Sequence, residues 1–174
     1  YALMRVMPNM LIGAPGDPME VRACMRYLIN NPQPSYLRLG KAGEPDIHTD
    51  VPEVSPGKWL NIREGEKGGK TYLTTGAPLE LVSKIVTTKP DLKDWSLCSM
   101  PLWSMKVKAM QVRQIENFST IVTVEDHLMD GGFGSWFLES AISQPNLLPR
   151  IKIKALDHKV CGMVAKQSTL NAEG

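Results

Sequence analysis

Residues 123–135 read Thr-Val-Glu-Asp-His-Leu-Met-Asp-Gly-Gly-Phe-Gly-Ser, and this stretch decides the fold. It continues Ile121-Val-Thr-Val124, a run of β-branched residues that marks a buried strand. The strand closes in three polar residues, Glu125, Asp126 and His127. A glycine-rich turn then opens a helix from Gly131 to Ser143, with Phe133, Trp136, Phe137 and Ala141 on one face. Strand, glycine turn and helix in this order form the unit of an α/β sheet, where ligands gather at the carboxyl ends of strands and helix N-termini offer free amides. Two readings of the turn stand open: Gly131, Gly132 and Gly134 let backbone approach a phosphate, or they let the helix pack closely on the sheet. The spacing is neither a P-loop, for no Gly-Lys-Ser/Thr is present, nor a full dinucleotide fingerprint. Glu125 and His127 read either as an acid/base pair or as hydrogen-bonding groups at an interface.

The alternation extends outward in both directions. On the C-terminal side, Ile151-Lys-Ile-Lys-Ala155 alternates cleanly, as an edge strand protected by Lys152 and Lys154 does. On the N-terminal side, strands are expected around Trp59–Ile62, at Lys70–Thr75 and at Trp95–Met100. Gly76-Ala77-Pro78 opens a helix carrying Leu79, Val82, Ile85 and Val86. A further helix spans Lys106 to Asn117 with Val107, Met110 and Ile115 inward, and Arg63 to Lys70 reads as a solvated hairpin. Residues 58–174 therefore predict a three-layer αβα domain with a mostly parallel sheet and an edge strand.

Residues 42–57 hold Gly43, Pro45, Pro52, Pro56 and Gly57 without apolar periodicity, the composition of an extended linker. Residues 1–41 hold a strand at Met10 to Ile12, a helix and a short strand at Tyr36 to Leu39. The helix starts with Asp17 as N-cap, Pro18 at its first position and Glu20 as in a capping box. Its expected buried stripe is Val21, Cys24, Met25, Leu28 and Ile29. This is a β-α-β remnant of a second α/β domain. Tyr1 is not a translation start and no secretory signal follows it, so a fragment is expected.

The 174 residues are 43% hydrophobic with a net charge of +2. No apolar run approaches the roughly 20 residues of a membrane span, and no basic cluster points to nucleic acid. Cys24, Cys98 and Cys161 are an odd, scattered set in apolar contexts, which fits buried, reduced thiols in the cytosol. No CxxC pair occurs, and His48, His127 and His158 lie far apart, so no zinc site is expected. His48 reads as solvated in the linker and His158 as surface. The ten methionines read as mostly core packing. Trp59, Trp95, Trp103 and Trp136 sit at element ends or on apolar faces, where large aromatics also suit a subunit interface.

Thr123-Val-Glu-Asp-His followed by Gly131-Gly-Phe-Gly134 resembles the hallmark of the C-terminal domain of transketolases and their relatives. Two other stretches agree in order and spacing. Met7-Pro-Asn-Met10 with Pro15-Gly-Asp-Pro-Met-Glu20 resembles the late part of the family's pyrimidine-binding domain, and Thr71-Tyr-Leu-Thr-Thr-Gly76 the first strand and turn of its C-terminal domain. The resemblance covers nearly the whole chain. It implies an enzyme that moves a two-carbon ketol unit between sugar phosphates with thiamine diphosphate and a divalent metal.

In that family the cofactor sits between the diphosphate-binding domain of one subunit and the pyrimidine-binding domain of another. The Gly-Asp-Gly motif that holds the metal does not occur here, and the activating glutamate belongs to a part upstream of Tyr1. By the resemblance, then, this chain carries no catalytic, cofactor-binding or metal residue, binds no cofactor alone, and is inactive alone. It serves the assembly of a cytoplasmic homodimer completed by the missing N-terminal domains or a partner subunit. Many members carry a phosphate-holding arginine after the final strand of the pyrimidine domain. Here Leu37-Arg-Leu-Gly-Lys41 puts Lys41 or Arg38 at that place, and a lysine would act as a point charge without the bidentate fork. A solvated basic residue at the linker entrance is the other reading. A deoxyxylulose-phosphate synthase, the beta subunit of a 2-oxo acid dehydrogenase, or a non-catalytic α/β interaction module would share this architecture.

Overall fold

The computed structural model describes residues 1–40, 43–164 and 169. A single helical turn, α1 (Ala2–Arg5), leads to β1 (Leu11–Gly13), α2 (Pro18–Asn30) and β2 (Ser35–Leu37). Asp17 caps α2 by accepting the Glu20 amide at 2.7 Å, and Glu20 Oε2 turns back to accept the Gly16 amide at 2.7 Å. The first bond quenches an amide that the helix start leaves without a partner, and the second ties down the residue before the cap. β1 and β2 pair in parallel through this crossover.

The second half contributes β3 (Leu60–Arg63), β4 (Gly68–Thr74), α3 (Pro78–Thr88), β5 (Ser96–Ser99), β6 (Leu102–Trp103), α4 (Gln111–Ile115), β7 (Phe118–Leu128), α5 (Phe133–Ser140) and β8 (Ile151–Leu156). Five of these strands make one sheet in the order β3-β5-β4-β7-β8. All its pairs are parallel except β3 with β5. Period-2 alternation sorts its side chains into two layers. Leu73, Cys98 and Ile121 face Phe133, Trp136 and Phe137 of α5 and Ile115 of α4. Tyr72, Leu97 and Val124 face Leu79, Val82 and Val86 of α3. The result is the expected αβα sandwich with a mostly parallel sheet, and β8, with its two lysines, lies at one edge.

The two halves are stitched together. After Pro101 the chain leaves the large sheet, and β6 pairs antiparallel with β1, Ile12 opposite Trp103 and Gly13 opposite Leu102. This completes a three-stranded sheet, β2-β1-β6. Trp103 is fully buried and meets Tyr1, Phe133 and Trp136 with ring centroids 5.1–5.4 Å apart.

Several expectations need correction. The buried face of α2 is Glu20, Ala23 and Cys24, because small residues and the inward carboxylate let the helix approach β1. Met25 and Ile29 are left outside, at 42% and 69% exposure. Residues 106–117 are not one helix. A 3-10 turn at Met105–Val107 precedes the five-residue α4, and Met110 is exposed. Ile115 is buried as expected, and beside it Gln111 turns inward, its amide donating to the Gly57 carbonyl and accepting from the Trp59 indole.

Arg63 to Lys70 is no hairpin. β5 lies between β3 and β4, and Arg63 donates to the Val86 and Lys93 carbonyls. Of the methionines only Met100 is buried, and Met7, Met25, Met105, Met110, Met129 and Met163 are exposed. Cys24 and Cys98 are buried, whereas Cys161 is exposed beyond the last strand. His48 is not solvated, because Asp17 draws it in.

Candidate functional site

The strand-end cluster begins with Glu125 on β7, only 3% exposed. Its two oxygens accept the amides of Phe133 (2.6 Å) and Gly134 (2.8 Å) at the first turn of α5. The carboxylate thus stands in for a side-chain cap on a helix whose N-cap, Gly132, has none. Burial pushes its pKa up to about 7, against the pull of the two amides. The glycines make this contact possible. A Cβ on Gly134 would stand 2.5 Å from Ile153 Cγ2 and 2.9 Å from Thr123 Oγ1. Gly131 has a φ of +72° and lies against Ala2. A Cβ on Gly132 would fall onto the Leu128 carbonyl oxygen and Glu125 Oε2. Gly132→Ala is expected to destabilise by about 1–3 kcal/mol. Urea denaturation measures it, and a loss below about 0.5 kcal/mol would refute this account of the turn.

Asp126 points the other way, to Arg38 just past β2. The guanidinium grips both carboxylate oxygens at 2.8 and 2.9 Å and lies 4.9 Å from the centroid of the Tyr1 ring. This fork joins the carboxyl end of the large sheet to that of the small one. A phosphate on Arg38 would therefore have to share or displace Asp126. His127 donates from Nδ1 to the Leu128 carbonyl (2.9 Å) and stacks on Tyr1 with centroids 5.3 Å apart. Burial holds its pKa below the usual histidine value. Both Glu125 oxygens accept amides of α5 and His127 faces Tyr1, so the two hold separate hydrogen-bond sets.

Lys41 lies outside the described residues. Its neighbours Leu39, Gly40 and Glu44, with Pro15, Asp17 and Arg22, line a cleft of about 400 Å³ at the start of α2. Arg22 is its one cation among the described lining residues. His158 is exposed beside Asp157. Among the described residues, no group of three or more His, Cys, Asp or Glu can hold a metal ion, and no helix is long and apolar enough to cross a membrane.

Sequence reasoning missed Arg5. It donates to the Gly132 carbonyl (2.8 Å) and Ser135 Oγ (2.8 Å) and pairs with Glu139, which Lys108 also holds. A lone arginine in a stretch too short to show a helical period gives no signal beyond its charge.

Comparison with known proteins adds relatives to this geometry. An apulose-4-phosphate transketolase subunit from Phocaeicola vulgatus is 30% identical over 149 residues, 83% of this chain and 46% of that protein. The relatives that this chain matches are transketolase-family proteins. The same family includes the 1-deoxy-D-xylulose-5-phosphate synthase of Thermus thermophilus, 27% identical over 99% of this chain and 28% of its own length. The chain thus spans about half, or about a quarter, of the curated relatives it matches. No family model matches it. Among solved structures, a split-gene transketolase described as an inactive beta4 tetramer superposes with a TM-score of 0.79. The match covers 99% of this chain and 55% of that one at 24% identity, and it shows the fold.

The family's cofactor can be tested against the residues present. A diphosphate held through a divalent metal needs hard oxygen donors converging on one point. The strand-end carboxylates are already committed, Glu125 to two amides and Asp126 to Arg38. The sequence has no Gly-Asp-Gly. Among the described residues, these donors do not fit that group.

Proposed function

We propose that this chain is the C-terminal portion of a transketolase-type, thiamine-diphosphate-dependent transferase that moves a two-carbon ketol unit between sugar phosphates in the cytoplasm. In this reading residues 1–41 end the pyrimidine-binding domain, 42–57 link, and 58–174 form the C-terminal domain. The chain's own task is assembly. It supplies no catalytic, cofactor or metal residue and is inactive until joined by the missing N-terminal domains or a partner subunit, in a homodimeric enzyme. The observation that carries the reading is the match to a subunit of a transketolase over 83% of the chain.

The surface agrees with this task. Leu3, Val6, Met7, Met25 and Ile29 are exposed at 42–79%, and apolar area of this kind marks surfaces that another polypeptide covers. Of the two phosphate candidates, Arg38 is held by Asp126, so the substrate contact passes in this proposal to Lys41. A second reading, the C-terminal portion of a deoxyxylulose-phosphate synthase, is favoured by the Thermus match, which extends over 99% of the chain.

Calorimetric titration of thiamine diphosphate with magnesium into the purified chain tests the assignment. No saturable heat is expected from the chain alone. Saturable binding and ketol transfer are expected once a polypeptide carrying the Gly-Asp-Gly motif is supplied. Saturable binding by the chain alone would overturn the reading.

A further inference from the structure

Asp17 does more than cap α2. Its Oδ2 accepts the amides of Ile47 (2.9 Å) and His48 (2.8 Å), and His48 Nδ1 lies 3.1 Å from the same oxygen. Residues 44–50 are thereby strapped across the start of the helix, where Glu44 and Asp17 line the cleft. The far side of the histidine is unfinished. His48 Nε2 and Glu20 Oε1 are 3.9 Å apart, both buried, and neither has a partner. Ser99 Oγ, buried beside Glu20, is the one hydroxyl near enough to donate to that carboxyl. Asp17 offers only lone pairs, so Nδ1 must carry the hydrogen, and in a neutral imidazole this leaves Nε2 as an acceptor. Nε2 and Oε1 are then two acceptors facing each other in a buried site. A proton on either atom lets the pair close from 3.9 Å into a hydrogen bond that satisfies both, as Glu20 O–H to Nε2 or as Nε2–H to the carboxylate. With that proton gone, Nε2 has no donor to face, and Glu20, left with only the Gly16 amide and the Ser99 hydroxyl, is a buried carboxylate beside a second one.

We propose that Asp17, Glu20 and His48 form a proton-operated clasp that holds residues 44–50 over the cleft at and below neutral pH and releases them above it. The clasp stands on this geometry and does not rest on the catalytic reading given above. The charged groups around it are Asp17, Glu20 and Arg22 of α2 and Glu44, Asp46 and Asp50 of the strap itself. Cys24 and Ser99, which pack against Glu20, are neutral in this range.

The sign follows from Glu20. Burial raises its carboxyl to about 7 in the folded chain. The contribution of the protonated group is therefore complete below the unfolded value of about 4.3 and is lost as pH rises through about 7. Asp17, held below the usual carboxylate value by the amides and ring of the strap, stays ionised throughout.

Hydrogen exchange of the Ile47 and His48 amides in the full chain, corrected for the intrinsic pH dependence of exchange, tests the clasp. Protection is expected to fall about tenfold between about pH 6 and about pH 8. Glu20→Gln, whose amide donates to Nε2 at every pH, should keep protection level across that range. Unchanged protection in the wild-type chain, or the same fall in Glu20→Gln, would overturn the proposal. Should Glu20→Gln fail to fold, NMR titration of the wild-type Glu20 carboxyl carbon and His48 ring nitrogens decides. One transition moving both supports the clasp, and two separate transitions overturn it.

Discussion

Trp136→Ala is expected to destabilise the chain by about 3–5 kcal/mol, lowering Tm by on the order of 10 °C for a protein of this length. Trp136 is fully buried, and its ring lies 5.1 Å from Trp103 and 5.8 Å from Phe133. Trp103 belongs to the small sheet and Phe133 to the helix on the large one. The indole therefore fills the space where the two halves meet, and removing it leaves a cavity that neither half can close alone. Trp136 Nε1 is buried without a partner. Trp136→Phe, which keeps a ring and deletes that orphaned donor, should accordingly lose clearly less than Trp136→Ala. Urea denaturation and calorimetry check both variants. Trp136→Ala should still unfold in one transition, because the aromatic cluster is shared. Two resolved transitions, or a loss below about 1 kcal/mol, would show that the halves do not depend on it.

What the sequence could disclose divides along chemical range. The start of α2 was legible because capping is local: Asp17, Pro18 and Glu20 lie within four residues and can be recognised without tertiary knowledge. The stripes of α3 and α5 were legible for a similar reason, since Leu79, Val82 and Val86, like Phe133, Trp136 and Phe137, keep one helical face against one sheet. β6 was not. Two residues after a proline carry no period, and their pairing with Ile12 and Gly13 exists only in the folded chain. The rotation of α2 was hidden by its own sequence. Val21, Met25 and Ile29 spell a regular apolar row, yet the row that approaches β1 is the one with the smaller side chains.

The candidate site shows the same division. Glu125 lies eight and nine residues from the amides it accepts, and the Val-Glu-Asp-His…Gly-Gly-Phe-Gly spacing drew attention to the strand end and its turn. The partner of Asp126 is 88 residues away, and no local pattern joins it to Arg38. Arg38 reads in the sequence as a cation for a phosphate, and its position after β2 is what lets it meet a carboxylate instead. The strap over Asp17 escaped notice because Pro45 and Gly43 mark residues 42–57 as irregular. Irregular backbone is still drawn down wherever a buried carboxylate needs donors.

Glu125→Ala is expected to cost about 2–4 kcal/mol, because it strips the acceptor from two buried amides at once. The loss exceeds that of an ordinary N-cap, about 1 kcal/mol, for three reasons. Phe133 and Gly134 are buried among side chains. Gly132 offers no hydroxyl or amide to substitute. The space vacated by a carboxylate 3% exposed is walled by Gly134 and the Leu128 carbonyl, which leave little path for water. Glu125→Gln tests the charge separately from the shape. Its single carbonyl oxygen can accept from one amide while its own NH2 faces the other, so it should recover only part of the loss. Amide exchange at Phe133 and Gly134 reads the local effect and urea denaturation the global one. The expected order of stability is wild type, then Gln, then Ala, with exchange at both amides accelerated in Ala. Equal stability of wild type and Glu125→Ala would mean that the strand-end glutamate does not hold α5, and its burial would then require a different explanation.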